Sequence, residues 1–147
     1  MRIGIISGYF NPLHTGHLDY IEGAALKCDL LYVIVNSDRQ VDIKGSKQFM
    51  DEISRARIVR ALSCVKRAMV SIDEDSTVCR SIKAIHKSYF DDPFVTDILF
   101  LNGGDRGQGT VPEAEVCEEL GIKMVYNVGG VKTESSSTLL QKVANEK

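Results

Sequence analysis

The sequence predicts an α/β fold: one open, doubly wound, parallel five-stranded sheet with helices on both faces. Three observations predict it. Short runs rich in Ile and Val alternate five times with segments of helical period, the pattern of strand–helix–strand units that close into a single sheet. The runs are nearly continuous in apolar residues, as parallel strands buried on both faces are. No internal repeat, low-complexity tract or long linker divides the 147 residues, so one domain over 1–147 is expected.

Taken in order, residues 2–7 (RIGIIS) form the first strand. A helix follows over 16–27, with Leu18, Ile21, Ala24 and Ala25 at helical spacing. Residues 30–36 (LLYVIVN) are the second strand, and 37–50 read as irregular. A helix over 51–65 starts at Asp51 or Ser54 and places Ile58, Leu62 and Val65 on one face. Residues 68–72 (AMVSI) are the third strand, and 76–89 a helix carrying Val78, Ile82 and Ile85. After an irregular 90–96 comes the fourth strand, 97–102 (DILFLN). Pro112 opens a helix that stops at Gly121, the usual Pro-start and Gly-end asymmetry. Residues 122–127 (IKMVYN) are the fifth strand, and a last helix follows Ser135-Ser136-Ser137-Thr138. In such a sheet ligands bind outside the carboxyl ends of the strands, and loops 8–15, 37–50, 102–111 and 128–134 all leave those ends.

Composition narrows the function classes. The formal net charge is −2 with 44% hydrophobic residues, which is ordinary for a globular domain. No apolar run approaches the roughly 20 residues of a membrane span, and the chain opens directly into a strand-like run without the features of a signal peptide. A cytoplasmic protein that binds neither membrane nor nucleic acid is expected. The charge is uneven, however. Residues 39–67 hold Arg39, Lys44, Lys47, Arg55, Arg57, Arg60, Lys66 and Arg67 against Asp42, Asp51 and Glu52. A basic segment on a mildly acidic body suits a local anionic ligand. Cys28, Cys64, Cys79 and Cys117 are widely spaced with no Cys-x-x-Cys pair, so they read as buried thiols rather than a zinc site or disulfides, and no protein metal site is expected.

The sharpest motif lies directly after the first strand: Gly8-Tyr9-Phe10-Asn11-Pro12-Leu13-His14-Thr15-Gly16-His17. Gly8 lets the chain turn, Pro12 stiffens the loop, and Gly16 lets backbone approach a ligand. His14 and His17 are three residues apart and bracket a helix start, so both rings can face one side. A helix N-terminus offers free N–H groups and a partial positive charge. Two imidazoles added there make a site able to grip phosphate and stabilise charge developing on it. Two of the three histidines in the chain lie in this segment; His86 lies mid-helix, away from every motif.

Phe10-Asn11-Pro12-Leu13-His14-Thr15-Gly16-His17 resembles the His-x-Gly-His signature of the cytidylyltransferase-like nucleotidyltransferases, a Rossmann-like family. Further motifs resemble it in the same order. These are Asn36-Ser37-Asp38 followed by Lys44-Gly45, Glu52-Ile53-Ser54-Arg55 with Ile58-Val59, Gly103-Gly104-Asp105, and Ser135-Ser136-Ser137-Thr138-Leu139. They look most similar to enzymes that activate sugar or polyol phosphates, such as the adenylyltransferase domain of ADP-heptose synthase and glycerol-3-phosphate cytidylyltransferase.

The resemblance implies transfer of CMP or AMP from CTP or ATP to a small phosphorylated acceptor, with release of pyrophosphate. It implies catalytic roles for His14, His17 and Lys44, and a phosphate-binding fork at Arg55. Nucleotide contacts would come from Gly8, Tyr9, Phe10, Asn11, Gly16, Gly103, Gly104, Asp105, Ser135, Ser136 and Ser137. Asp38, Arg39 and Arg106 would contact the acceptor. It also implies Mg²⁺ carried with the triphosphate, and a homodimer.

The sequence departs from the pattern at three places. Asn11 stands where sugar- and polyol-phosphate relatives usually have Asp; Phe-Asn-Pro is instead found in relatives that adenylylate nicotinamide mononucleotide. Glu134 precedes the serine run where a small or apolar residue is usual. Residues 87–95 look longer than the corresponding connection, and either cover the acceptor pocket or lengthen a helix end. Two other readings stand beside the first: a coenzyme-type adenylyltransferase acting on pantetheine phosphate or nicotinamide mononucleotide, and a non-catalytic nucleotide sensor.

Overall fold

The computed structural model of the chain describes residues 1–103 and 111–129. Its centre is β1 (Arg2–Gly8), the first strand in sequence and the middle strand in space. Strands β2 (Leu30–Val35) and β3 (Arg67–Val70) extend the sheet on one side, β4 (Asp97–Gly103) and β5 (Lys123–Val128) on the other, giving the order β3-β2-β1-β4-β5. Every pairing is parallel. The order reverses direction beside β1, and that is where ligands bind in open α/β sheets.

Strand alternation sends neighbouring side chains to opposite faces and makes two cores. On one face Ile6, Val33, Val35, Leu99 and Leu101 pack against α1 (Thr15–Ala25) and α3 (Glu52–Arg60) through Ile21, Ala24, Ala56 and Val59. On the other, Ile3, Ile5, Ile34 and Phe100 meet α4 (Cys79–Tyr89) and α5 (Ala114–Leu120) through Ile82, Ile85 and Cys117. Each fully buried Ile contributes roughly 1.5–3 kcal/mol relative to exposure. A Val78–Ile82–Ile85 stripe was expected on α4, and all three side chains are buried.

Three expectations are corrected. Loop 37–50 is not irregular throughout: it holds α2 (Asp38–Lys44), closed by a Ser37–Gln40 capping box and by Gly45 in the left-handed region at φ 78°. The helix expected over 51–65 ends at Arg60, and its buried face is Arg55, Ala56 and Val59, not the Ile58 row; Ile58 is 39% exposed. Asp51 does start it, its carboxylate accepting the Ser54 N–H at 2.8 Å. Hydrogen bonds from Ser54 hold that carboxyl below its ordinary value. Pro112 lies outside the next helix, which begins at Ala114 after Glu113.

Residues 91–96 join α4 to the start of β4. They reach the opposite end of the sheet from the strands' carboxyl ends, where the Thr96 N–H donates to the Met1 carbonyl at 2.8 Å. The segment therefore does not cover a pocket at the ligand end. Of the four thiols only Cys117 is fully buried; Cys28, Cys64 and Cys79 are half-buried. The last helix, expected after Ser135, lies outside the described residues. Among the described residues no helix is long and apolar enough to cross a membrane.

Candidate functional site

The site forms where β1 ends. Gly8 is required there by a close approach: a Cβ on it would lie 2.7 Å from Cζ of Phe10, whose ring folds back over the strand end. Phe10 adopts φ 49°, a left-handed conformation that is costly for a residue with a Cβ. The cost is offset by burying the ring, which is 1% exposed. The Asn11–Pro12 peptide is cis.

The two histidines then start α1 together. His14 is its N-cap, with extended backbone, and its Nδ1 accepts the Gly16 N–H at 3.0 Å. His17, at the third helical position, accepts the His14 N–H through its own Nδ1 at 3.1 Å. This is a capping box built from imidazoles in place of the usual Ser/Thr and Glu/Gln pair. It has a chemical consequence. A ring nitrogen that accepts an N–H carries no proton, so each neutral ring holds its proton on Nε2. The helix start thus sets both rings as Nε2–H donors. Their centroids are 3.8 Å apart, and the edge-on contact between Phe10 and His17, at 5.1 Å, fixes the second ring from behind.

Arg55 sits beneath this loop. Its side chain is buried to 1% exposure. Nε donates to the Met50 carbonyl at 3.0 Å, Nη1 to the carbonyls of Tyr9 (2.9 Å) and Asn36 (2.6 Å), and Nη2 to Asp38 Oδ1 at 2.9 Å. The planar fork expected to meet a phosphate is turned inward in this structure, tying together the ends of β1 and β2, the start of α2 and the approach to α3. Asp38 is correspondingly engaged by Arg55, while its N–H donates to Glu52 at 2.9 Å.

Asn11 clamps the neighbouring loop. Its Nδ2 donates to the Lys47 carbonyl at 2.8 Å, and its Oδ1 accepts the N–H groups of Phe49 (2.9 Å) and Met50 (3.4 Å). An Asp could make the second pair but not the first, which gives a physical reason for Asn at this position. Lys44, the last residue of α2, lies 4.3 Å from the Tyr9 ring centroid, a cation–π contact that brings its charge to the loop after β1. Arg39 is exposed on α2. Gly103 ends β4, opposite Val128, at a register irregularity.

The structure therefore brings Gly8, Tyr9, Phe10, Asn11, His14, Gly16, His17, Asp38, Lys44 and Arg55 into one neighbourhood. Gly104, Asp105, Arg106, Glu134 and Ser135, Ser136 and Ser137 lie outside the described residues. Sequence reasoning missed Gln40. It is fully buried, receives the Asn36 side-chain amide and the Ser37 N–H on Oε1, and donates from Nε2 to the carbonyls of Asp75 and Thr77. It also missed Tyr20, whose hydroxyl donates to the Leu101 carbonyl, and Asn102, fully buried near the end of β4. Ser37-x-x-Gln40, a capping-box spacing, was the available signal for the first.

Among the described residues no group of three or more His, Cys, Asp or Glu could hold a metal ion. The donors at the loop are imidazole N–H and lysine, a set suited to an anion. The free helix-start N–H groups expected from the sequence are corrected, since those of His14, Gly16 and His17 are used within the helix start itself.

Comparison with known proteins identifies the family and the fold. A family model described as cytidylyltransferase-like matches residues 5–130. The bifunctional protein HldE of Bradyrhizobium sp. (strain ORS 278) is 30% identical over 99% of this chain, and that of Nitrobacter hamburgensis is 39% identical over 85%. The chain spans only 28% and 24% of the length of those two relatives. The crystal structure of the lipopolysaccharide core biosynthesis protein from Thermoplasma volcanium shares the fold, with a TM-score of 0.68 at 23% identity, over 86% of this chain and 96% of that one.

Proposed function

The chain belongs to the cytidylyltransferase-like family of nucleotidyltransferases, and from that premise we propose that it transfers CMP or AMP from CTP or ATP to the phosphate of a sugar or polyol phosphate. The observation that carries the reading is the pair of imidazoles capping α1, both set as Nε2–H donors at the carboxyl end of the central strand. The HldE relatives support nucleotidyl transfer in general, and the acceptor class rests on the resemblance of the Lys44-Gly45 and Gly103-Gly104-Asp105 motifs to those of sugar- and polyol-phosphate enzymes.

In this reading an oxygen of the acceptor's phosphate monoester attacks the α-phosphorus. The bond from that phosphorus to the β-phosphate bridging oxygen breaks, and pyrophosphate leaves with the electron pair. No covalent enzyme intermediate is needed; catalysis is positioning and charge stabilisation. His14 and His17 donate to the α- and β-phosphate oxygens as charge builds on them, and Lys44 neutralises phosphate charge from the Tyr9 side. Arg55 acts as a positioning residue, holding the loop that carries the histidines. Magnesium, expected with the triphosphate, would supply further charge neutralisation when bound, held mainly by substrate and water rather than by a protein cage, since no cluster of ligands among the described residues could hold it. The roles expected of Asp105, Arg106 and Ser135, Ser136 and Ser137 are part of this proposal.

The test is pyrophosphate release from CTP or ATP across a panel of sugar and polyol phosphates, with pantetheine phosphate and nicotinamide mononucleotide as alternative acceptors. Turnover only with the last two would replace the acceptor class. Tight nucleotide binding without turnover on any acceptor would favour a sensor. The decisive variant is His17→Gln, because Gln at that helical position keeps a capping acceptor for the His14 N–H while removing the imidazole. We expect kcat to fall by about 10²–10³, the usual loss for one transition-state donor, with an unchanged melting temperature. Near-normal turnover would sink the role.

A further inference from the structure

We infer that Asn102 reads the base of the bound nucleotide, its Oδ1 accepting a hydrogen bond from the exocyclic amino group of adenine or cytosine. The inference rests on the nucleotidyltransferase reading above and goes beyond it by naming the residue and the chemistry of base selection. Four observations carry it.

The first is where the sheet opens. β1 pairs with β2 as far as Gly8 and Val35, but with β4 only as far as Ile5 and Phe100. Beyond Phe100 the two central strands part, at the point where the strand order reverses, and a crevice at that point is where this architecture takes its ligands. Leu101, the first residue past the parting, has its carbonyl satisfied by the Tyr20 hydroxyl from α1.

The second is the β4–β5 irregularity. Pairing jumps from Leu101–Val125 to Gly103–Val128, and Asn127 takes up the extra length at φ 58°, a conformation Asn tolerates better than most residues. Asn102 lies inside this jump.

The third is how the Asn102 amide is held. Nδ2 donates to the Val125 carbonyl at 3.2 Å and lies 3.5 Å from the Phe100 carbonyl. Both neighbours are acceptors, so the nitrogen must be on this side, and the amide cannot turn over without placing oxygen against oxygen. The two arms of a planar amide diverge, so with nitrogen tied to the Val125 carbonyl the oxygen is held on the side away from it.

The fourth is that this oxygen lacks a partner. Asn102 is fully buried, and its Oδ1 makes no hydrogen bond. A buried carbonyl oxygen without a donor is costly, and few native groups bear that cost without a reason. An acceptor-only position asks for an N–H or O–H on the ligand. The amino groups of adenine and cytosine supply one, whereas the keto groups of hypoxanthine and uracil would set acceptor against acceptor. Sites built on such a hydrogen bond discriminate strongly, because the mismatched ligand leaves the buried group unpaired.

The experiment is calorimetric titration of the full chain with ATP and ITP, and with CTP and UTP. Wild type should bind the amino member of at least one pair about tenfold or more tightly. Asn102→Ala, and the milder strand-compatible Asn102→Thr, should bring that ratio close to one. A merely structural role would lower the melting temperature and weaken both members of a pair equally, leaving the ratio in place. Equal binding of amino and keto nucleotides by wild type overturns the inference, whether or not the variants fold. So does an unchanged ratio in either folded variant. Binding of no nucleoside triphosphate would overturn the nucleotidyltransferase reading as well, so the two failures are distinct.

Discussion

Arg55 changed meaning between sequence and structure. Its spacing after Asp51 marks a helix start, and its resemblance to a phosphate-binding position was legible, but which way a guanidinium points is settled by tertiary packing. Here three backbone carbonyls and one carboxylate claim it. Arg55→Met should therefore destabilise the protein by at least about 1–3 kcal/mol, the usual cost of leaving buried hydrogen-bonding groups without a partner. Arg55→Lys should recover little, because an ammonium cannot reach four acceptors spread around a planar fork. Urea denaturation checks both. A residue waiting for a ligand would instead leave stability nearly unchanged and raise KM. Asn11 shows the same limit from the other side. The departure from Asp was visible in sequence, while its reason, a simultaneous donor and acceptor task against residues 47–50, needed the loop in place. The placement of His14 and His17 was legible because it is local: the helix they start is the helix that orients them.

At the level of elements, the strands were the most readable, since buried parallel strands announce themselves as continuous apolar runs. Helix α2 was not read, although its Ser37–Gln40 capping box and Gly45 terminator were both in the sequence. Its few apolar residues gave no helical stripe, and polar clusters imitate loops. α3 was displaced by one face for a related reason: a buried arginine breaks the apolar pattern on which periodicity depends. Glycines sort by surroundings in a testable way. A Cβ on Gly129, at φ 80°, would lie 2.9 Å from Cα of Tyr20, whereas one on Gly45, at φ 78°, meets nothing within 4 Å. Gly45→Ala should cost about 1–2 kcal/mol, for conformation alone. Gly129→Ala should cost more, because α1 must also move away from the end of β5. Thermal melts of the two variants give the order.

For the molecule as a whole, the four thiols give stability an alkaline limit. Burial pushes Cys117 up from its ordinary 9.0 to about 12, and pushes Cys28, Cys64 and Cys79 upward too. A group whose pKa is higher in the folded state keeps its full stabilising effect below the unfolded value and loses it as pH rises toward the folded one. Stability attributable to Cys117 should thus hold below pH 9 and decline from there toward 12, by up to about 1.4 kcal/mol per pH unit. Urea midpoints at rising pH will show the decline, and Cys117→Ala should flatten it.

The place of β1 also has a consequence in time. The ribosome makes the central strand before either of its neighbours. β2 follows soon and covers one edge, but Ile5 waits for Phe100, until most of the chain has emerged. Through that interval the nascent protein carries an open, apolar strand edge of the kind that recruits chaperones or other chains. The crevice where the two central strands diverge therefore cannot form before β4 has been made.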